Sequence, residues 1–335
     1  MTDLGAPEPG DRIALAGSDI SIPHLGVGTW AWGDKGTWGM GGYDSSYSEA
    51  TIREAWDASI EAGVVLFDTA EIYGGGESER IIGRLLAAEP TARENVVIAS
   101  KFMPSPSKLA VTSALVRAAR ASVARLGVEF IDLYQLHGPV SLRSHSALAD
   151  ALAAAHAEGL IKAVGVSNYS AKETRAMAAA LEKRDLRLAS NQIEFSLLRT
   201  KPEKVGLLEC CRELGVVPLA YSPIGQGRLT GKYTAANPPP KSRTFSNHPM
   251  ASVDRIVDIL RRIGEAHGGR TPSQVALAWL IAKGSVPIPG AKNRKQAEEN
   301  AGALGWQMDD AEVAALDAAA LYGTGGITQR IWQHG

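Results

Sequence analysis

The chain is expected to fold as one α/β domain, a closed (β/α)8 TIM barrel of parallel strands preceded by a short β-hairpin. Three observations predict it. Eight short apolar runs, mostly continuous as in strands buried on both faces, alternate with stretches of helical length. Glycines stand where those helices should stop: Gly63, Gly127, Gly159 and Gly215. No compositional break marks a linker, so eight strand-then-helix units suit a closed barrel better than an open sheet.

Taken in order, residues 1–10 read as a loose start. Arg12 to Leu15 and Ile20 to Ile22 flank the turn-forming Ala16-Gly17-Ser18-Asp19, which predicts a hairpin over 11–22. The barrel is expected over 23–308. Its strands are Leu25 to Thr29, Leu66 to Asp68, Val96 to Lys101, Ile131 to His137, Ala163 to Ser167, Ser190 to Ile193, Val216 to Tyr221 and Val286 to Pro289. Helices are expected at Ser48 to Ala62, Glu77 to Ala88, Thr112 to Leu126, Ser144 to Glu158, Lys172 to Glu182 and Lys204 to Leu214. Two more announce their starts: Thr271-Pro272-Ser273-Gln274 supplies an N-cap, a proline at N1 and a capping glutamine, and Asp309 with Glu312 repeats the capping logic before a C-terminal helix and tail over 309–335. Trp30 to Tyr47 and Leu229 to Ser252 read as long loops over the site face.

Composition bounds the function. With 335 residues, 45% of them hydrophobic, the chain can bury a large core. A net charge of -1, with Lys and Arg dispersed, makes neither nucleic acid nor an anionic membrane an obvious partner. Cys210 and Cys211 are adjacent on an expected helix and point about 100° apart, which suits neither a routine disulfide nor a metal set. The N-terminal residues lack a basic start and an apolar run, and no stretch approaches ~20 apolar residues, so a cytoplasmic protein is expected. Monomer and homo-oligomer stay open.

Four ionisable residues fall at or just past strand ends: Asp68 and Tyr73, Lys101, and His137. In a parallel barrel those ends share the face that carries the active site. Reducing a carbonyl requires a proton for the oxygen, and a phenol supplies one at neutral pH if a neighbouring ammonium lowers its pKa. Lys101 is expected to do that for Tyr73, with Asp68 holding the ammonium and His137 donating a hydrogen bond to the carbonyl oxygen. Taken singly, each is more often a cap, a core residue or a solvated charge; their shared placement raises the set.

Phe67-Asp68-Thr69-Ala70-Glu71-Ile72-Tyr73-Gly74, then Glu77 to Gly83, Ala99-Ser100-Lys101 and Asp132 to His137 closely resemble successive signatures of the aldo-keto reductases, over about Leu25 to Gly305. The resemblance implies that Asp68, Tyr73, Lys101 and His137 form the family's catalytic tetrad. It also implies a carboxamide clamp of Ser167, Asn168 and Gln192, with Tyr221 stacked on the nicotinamide. Tyr221 to Lys232 resembles the family's pyrophosphate-covering loop, through Ser222, Pro223, Gly225 and Gly227, whose glycines permit close backbone approach to phosphate. Gly290, Lys292, Arg294, Gln296, Glu299 and Asn300 look like the adenosine end. There Lys292, with Arg294 as a second cation, would hold a 2′-phosphate and favour NADPH over NADH. No Gly-x-Gly-x-x-Gly follows the first strand, which argues against a Rossmann domain.

Gly138-Pro139 departs from the bulky or charged residues many members place after the histidine, which leaves that pocket wall open to question. Trp30, Trp32 and Trp38 sit in a glycine-rich loop that reads equally as an aromatic rim over a flat substrate or as core. With Pro289 to Asn293 and Ala301 to Trp306, this loop is similar to the plant-type pyridoxal reductase-like branch, which implies a small aromatic aldehyde such as pyridoxal as the carbonyl substrate. A nucleotide-sensing interaction subunit is the alternative, since the family includes such subunits. A metal-dependent hydrolase is disfavoured because no His-x-His pair stands at a strand end, and no metal is expected.

Overall fold

The computed structural model describes residues 8, 10–33, 48–240, 247–325 and 331–335. Strands β1 (Arg12–Ala14) and β2 (Ser21–Pro23) form an antiparallel hairpin with Ile13 opposite Ile22. Eight parallel strands follow: β3 (Gly26–Gly28), β4 (Leu66–Asp68), β5 (Val97–Phe102), β6 (Ile131–Leu136), β7 (Ile161–Ser167), β8 (Leu188–Glu194), β9 (Val217–Tyr221) and β10 (Val286–Pro287). Each pairs with its neighbours in chain order. A parallel bridge between Gly28 and Gly290 joins the two ends, with Gly28 N donating to Pro289 O at 3.0 Å. At Gly28 this seam requires glycine, because a Cβ there would lie 2.8 Å from Ile288 O. The fold is the expected (β/α)8 barrel, and its strand bounds differ from the expected ones by at most two residues.

The helices are α1 (Glu49–Glu61), α2 (Glu77–Ala88), α3 (Val111–Leu126), α4 (His145–Ala157), α5 (Ala171–Glu182), α6 (Lys201–Lys204), α7 (Leu207–Leu214), α8 (Met250–Ala266), α9 (Pro272–Ala282), α10 (Arg294–Ala301) and α11 (Asp310–Ala319). Thr271 with Gln274 and Asp309 with Glu312 form reciprocal capping boxes, as do Ser48 with Thr51 and Ser170 with Glu173. The single helix expected over Lys204 to Leu214 is instead two, α6 and α7, because Gly206 turns left-handed at φ 75° between them. Helix α8 is an addition to the expected set and begins inside the segment read as the loop Leu229 to Ser252. Its apolar stripe of Val253, Ile256, Val257, Leu260 and Ile263 is buried. No helix among the described residues is long and apolar enough to cross a membrane.

Alternate side chains of each strand point into the barrel. Leu66 then Asp68, Val97 then Ala99 then Lys101, and Leu133 then Gln135 run from an apolar floor to a polar mouth. Leu15 and Ile22 of the hairpin region pack onto that floor against Leu66, Val97, Leu133, Ala163, Val217, Val286 and Ile288. Ile22 is fully buried, which contributes about 2 kcal/mol of apolar transfer. The larger core lies between strands and helices.

Candidate active site

Asp68 ends β4, Lys101 lies in β5, and His137 follows β6, with its own N–H donating to Phe102 O at 2.8 Å. Tyr73 opens a short 3-10 turn, Tyr73–Gly76. Strand pairing aligns Asp68 with Ala99 and Lys101 with Gln135, so the three strand ends present these groups at one level. Lys101 Nζ spends all three donors: on Asp68 Oδ2 at 2.6 Å, Thr69 O at 2.8 Å and Tyr73 Oη at 3.2 Å. The second Asp68 oxygen accepts from Gln192 Nε2 at 2.8 Å and Gln135 Nε2 at 3.3 Å. The His137 ring meets that of Tyr73 edge-on, with centroids 5.6 Å apart. Lys101 is fully buried, Asp68 is 2% exposed, and Tyr73 and His137 are 9% and 8% exposed. The four expected residues therefore converge.

Electrostatics refine the expectation for the phenol. Burial, reinforced by the Asp68 carboxylate, pushes Tyr73 well above its ordinary pKa, and burial pulls Lys101 down although Asp68 opposes it. The shift is opposite to the expected lowering, because desolvation and the Asp68 charge both favour the neutral phenol. A phenol that keeps its proton is the protonation state a proton donor needs. Burial and the Lys101 charge hold His137 well below the usual histidine range, so the imidazole is neutral at neutral pH. Its Nδ1 is buried with no hydrogen-bond partner.

Beside this cluster, Ser167 Oγ donates to Gln192 O at 2.9 Å, and Tyr221 Oη donates to Asn168 Oδ1 at 3.0 Å. Asn168 is held left-handed at φ 62°, and Ser222 at φ 50°. Gly225 and Gly227 are also left-handed in the turn after β9, and buried Arg228 donates to Gly225 O at 3.3 Å. Pro223 lies in the same turn. Across the seam, Asn300 donates to Gly290 O at 3.3 Å, Lys292 N donates to Gln296 Oε1 at 3.1 Å, and Glu299 accepts from Thr271 Oγ1 at 3.1 Å. Partial burial lowers the Lys292 amine. Arg294 is committed to Glu61 at 2.7 Å and reaches Glu298 at 3.4 Å, which occupies the second cation expected for a phosphate.

The tryptophans divide. Trp32, which the sequence leaves open between pocket rim and core, is a core residue and not part of a substrate rim: it is 1% exposed, its indole N–H donates to Ala291 O at 2.9 Å, and its ring tilts against Phe67. Trp30 is half-buried, and Trp38 lies outside the described residues. An aromatic not singled out by the sequence stands at the site instead. Trp332 packs edge-on to His137 with centroids 5.8 Å apart, over Gly138, where a Cβ would come within 3.0 Å of the indole. Gln135, Glu194 and Gln333 also went unread. Gln135 and Glu194 were findable, since each lies two residues from a chosen residue on the same strand side, His137 and Gln192. Gln333 has no such signal. Among the described residues no group of three His, Cys, Asp or Glu could hold a metal.

The model of the Aldo/keto reductase family matches residues 24–321. The chain is 36% identical over 328 residues to the chloroplastic pyridoxal reductase of Arabidopsis thaliana, covering 94% of this chain and 87% of that protein. It is 30% identical to the aldo-keto reductase yakc [NADP(+)] of Schizosaccharomyces pombe, covering 81% and 83%. Among solved structures, a glycerol dehydrogenase from Gluconobacter oxydans superposes with a TM-score of 0.78 at 28% identity, covering 95% and 98%.

Proposed function

The chain belongs to the aldo/keto reductase family, and from that premise we propose that it reduces an aldehyde or ketone to the alcohol, with NADPH as reductant and Tyr73 as proton donor. The observation that carries this reading is the 3.2 Å contact between Lys101 Nζ and Tyr73 Oη, anchored by Asp68 at 2.6 Å. When bound, the dinucleotide supplies a hydride to the carbonyl carbon. Tyr73 releases its proton to the developing alkoxide, and Lys101, already fixed on Asp68, stabilises the phenolate left behind. Neutral His137 contributes a donor to the carbonyl oxygen without adding positive charge. Tyr73 and His137 are nearly buried and Trp332 packs edge-on against His137, which limits the water at the reacting atoms.

The residues present fit the dinucleotide. Asn168 Nδ2 has no partner among the described residues, the Tyr221 ring is partly exposed at a strand end, and Gly225 and Gly227 give the turn after β9 the left-handed backbone that suits a phosphate-covering loop. Lys292 at the start of α10 supports a 2′-phosphate, as does the NADP(+) in the name of the Schizosaccharomyces pombe relative. Trp332 beside His137, together with the Arabidopsis thaliana relative's name, supports a flat aromatic aldehyde such as pyridoxal.

Replacing Tyr73 by Phe is expected to cut turnover of an aromatic aldehyde by about 10²- to 10⁴-fold while NADPH binding persists. Full turnover in that variant would remove Tyr73 from the role.

A further inference from the structure

We infer that Gln333 is a positioning residue for the nicotinamide carboxamide: acting through Tyr221, it fixes which way round the Asn168 amide faces. The inference rests on the NADPH reading above and adds a residue near the chain's C-terminal end that the tetrad and clamp do not include.

The argument is one of hydrogen-bond polarity. Glu194 carries a buried carboxylate beside Arg199, and a carboxylate only accepts. Gln333, 3% exposed, donates from Nε2 to Glu194 Oε2 at 2.5 Å and to Tyr221 Oη at 2.8 Å. Both of its amide protons are therefore committed. Turning the amide round would set Gln333 Oε1 against the Glu194 carboxylate, acceptor against acceptor. Because Tyr221 Oη accepts from Gln333, its single proton goes to Asn168 Oδ1, 3.0 Å away. The Asn168 oxygen is thus occupied, and Nδ2, unpartnered among the described residues, is left to donate.

The same C-terminal segment grips the Asn168 backbone. His334 N donates to Asn168 O at 3.1 Å, and His334 Nδ1 lies 2.8 Å from Glu173 Oε1. Asn168 N in turn donates to Gln192 O at 2.8 Å, which holds the residue in its left-handed conformation. An amide so restrained presents N–H groups alone and selects the oxygen end of a carboxamide. Without the relay, Asn168 can offer either end, and a carboxamide can bind either way round.

The test compares NADPH with 2′-phospho-ADP-ribose, which lacks the nicotinamide, by calorimetric titration of the full chain. Gln333→Leu is expected to weaken NADPH roughly tenfold and to leave 2′-phospho-ADP-ribose unmoved. Tyr221→Phe keeps the ring but breaks the relay, so it should show the same selective loss, and the double variant should lose no more than either single one. Equal weakening of both ligands, no weakening of NADPH, or multiplied losses in the double variant would overturn the inference. If Gln333→Leu does not fold, Tyr221→Phe decides by the same criterion. Wild-type protein that binds neither ligand overturns the NADPH reading together with this one; wild-type binding with an unchanged Gln333→Leu overturns this one alone.

Discussion

Lys101 has no spare donor: Asp68, Thr69 and Tyr73 take all three. Removing the Asp68 charge would leave a buried ammonium uncompensated, so Asp68→Leu is expected to cost roughly 3–5 kcal/mol in denaturant unfolding as well as activity. Asp68→Asn should cost less in stability while still lowering turnover. His137 gives a pH signature. Its imidazole is held below the ordinary value of 6.5, so at lower pH the unfolded chain binds a proton that the folded chain refuses, and stability falls as pH drops through that value. Urea midpoints measured at about pH 7.5 and about pH 5.5 should fall further for the wild type than for His137→Gln; equal falls would refute the buried neutral imidazole. At this scale the sequence was most legible where a strand run ends in an ionisable residue, as at Asp68, Lys101 and His137. The direction of the Tyr73 shift is not legible there, because burial is a property of packing that residue type does not announce.

Single elements follow local rules that the chain states openly. Caps at Thr271 and Asp309 and stops at Gly63, Gly127, Gly159 and Gly215 are short-range chemistry, and all four glycines adopt positive φ. Two features escaped. Gly206 lies inside a helix-like pattern and splits it, and the stripe of α8 was hidden beside a proline-rich loop. Gly83 illustrates a requirement set by a neighbouring element. A Cβ there would lie 2.5 Å from Arg125 O on α3, closer than backbone tolerates. Gly83→Ala should therefore destabilise the protein by about 1–3 kcal/mol by prising α2 from α3, visible as a lower melting temperature with the chemical step unaltered. A neutral substitution would mean that the two helices yield more readily than their packing implies.

Over the whole molecule, contacts between distant parts of the chain were the least readable. Trp332 reaches His137, and Gln333 reaches Tyr221 and Glu194, across more than a hundred residues of sequence, and no periodicity encodes such meetings. The hairpin was anticipated as an element, but its place under the barrel floor was not. Ile22→Ala should remove about 2–5 kcal/mol of stability while sparing turnover per folded molecule, measured by unfolding and by active-site titration; a selective loss of turnover would place the hairpin in the chemistry. Leu15 and Ile22 stopper the barrel at its floor among the described residues, so a guest bound for Asp68, Lys101 and His137 comes in from the strand-end side. Trimming that stopper, as in Ile22→Ala, would open the far end of the vessel and leave the working end as it was.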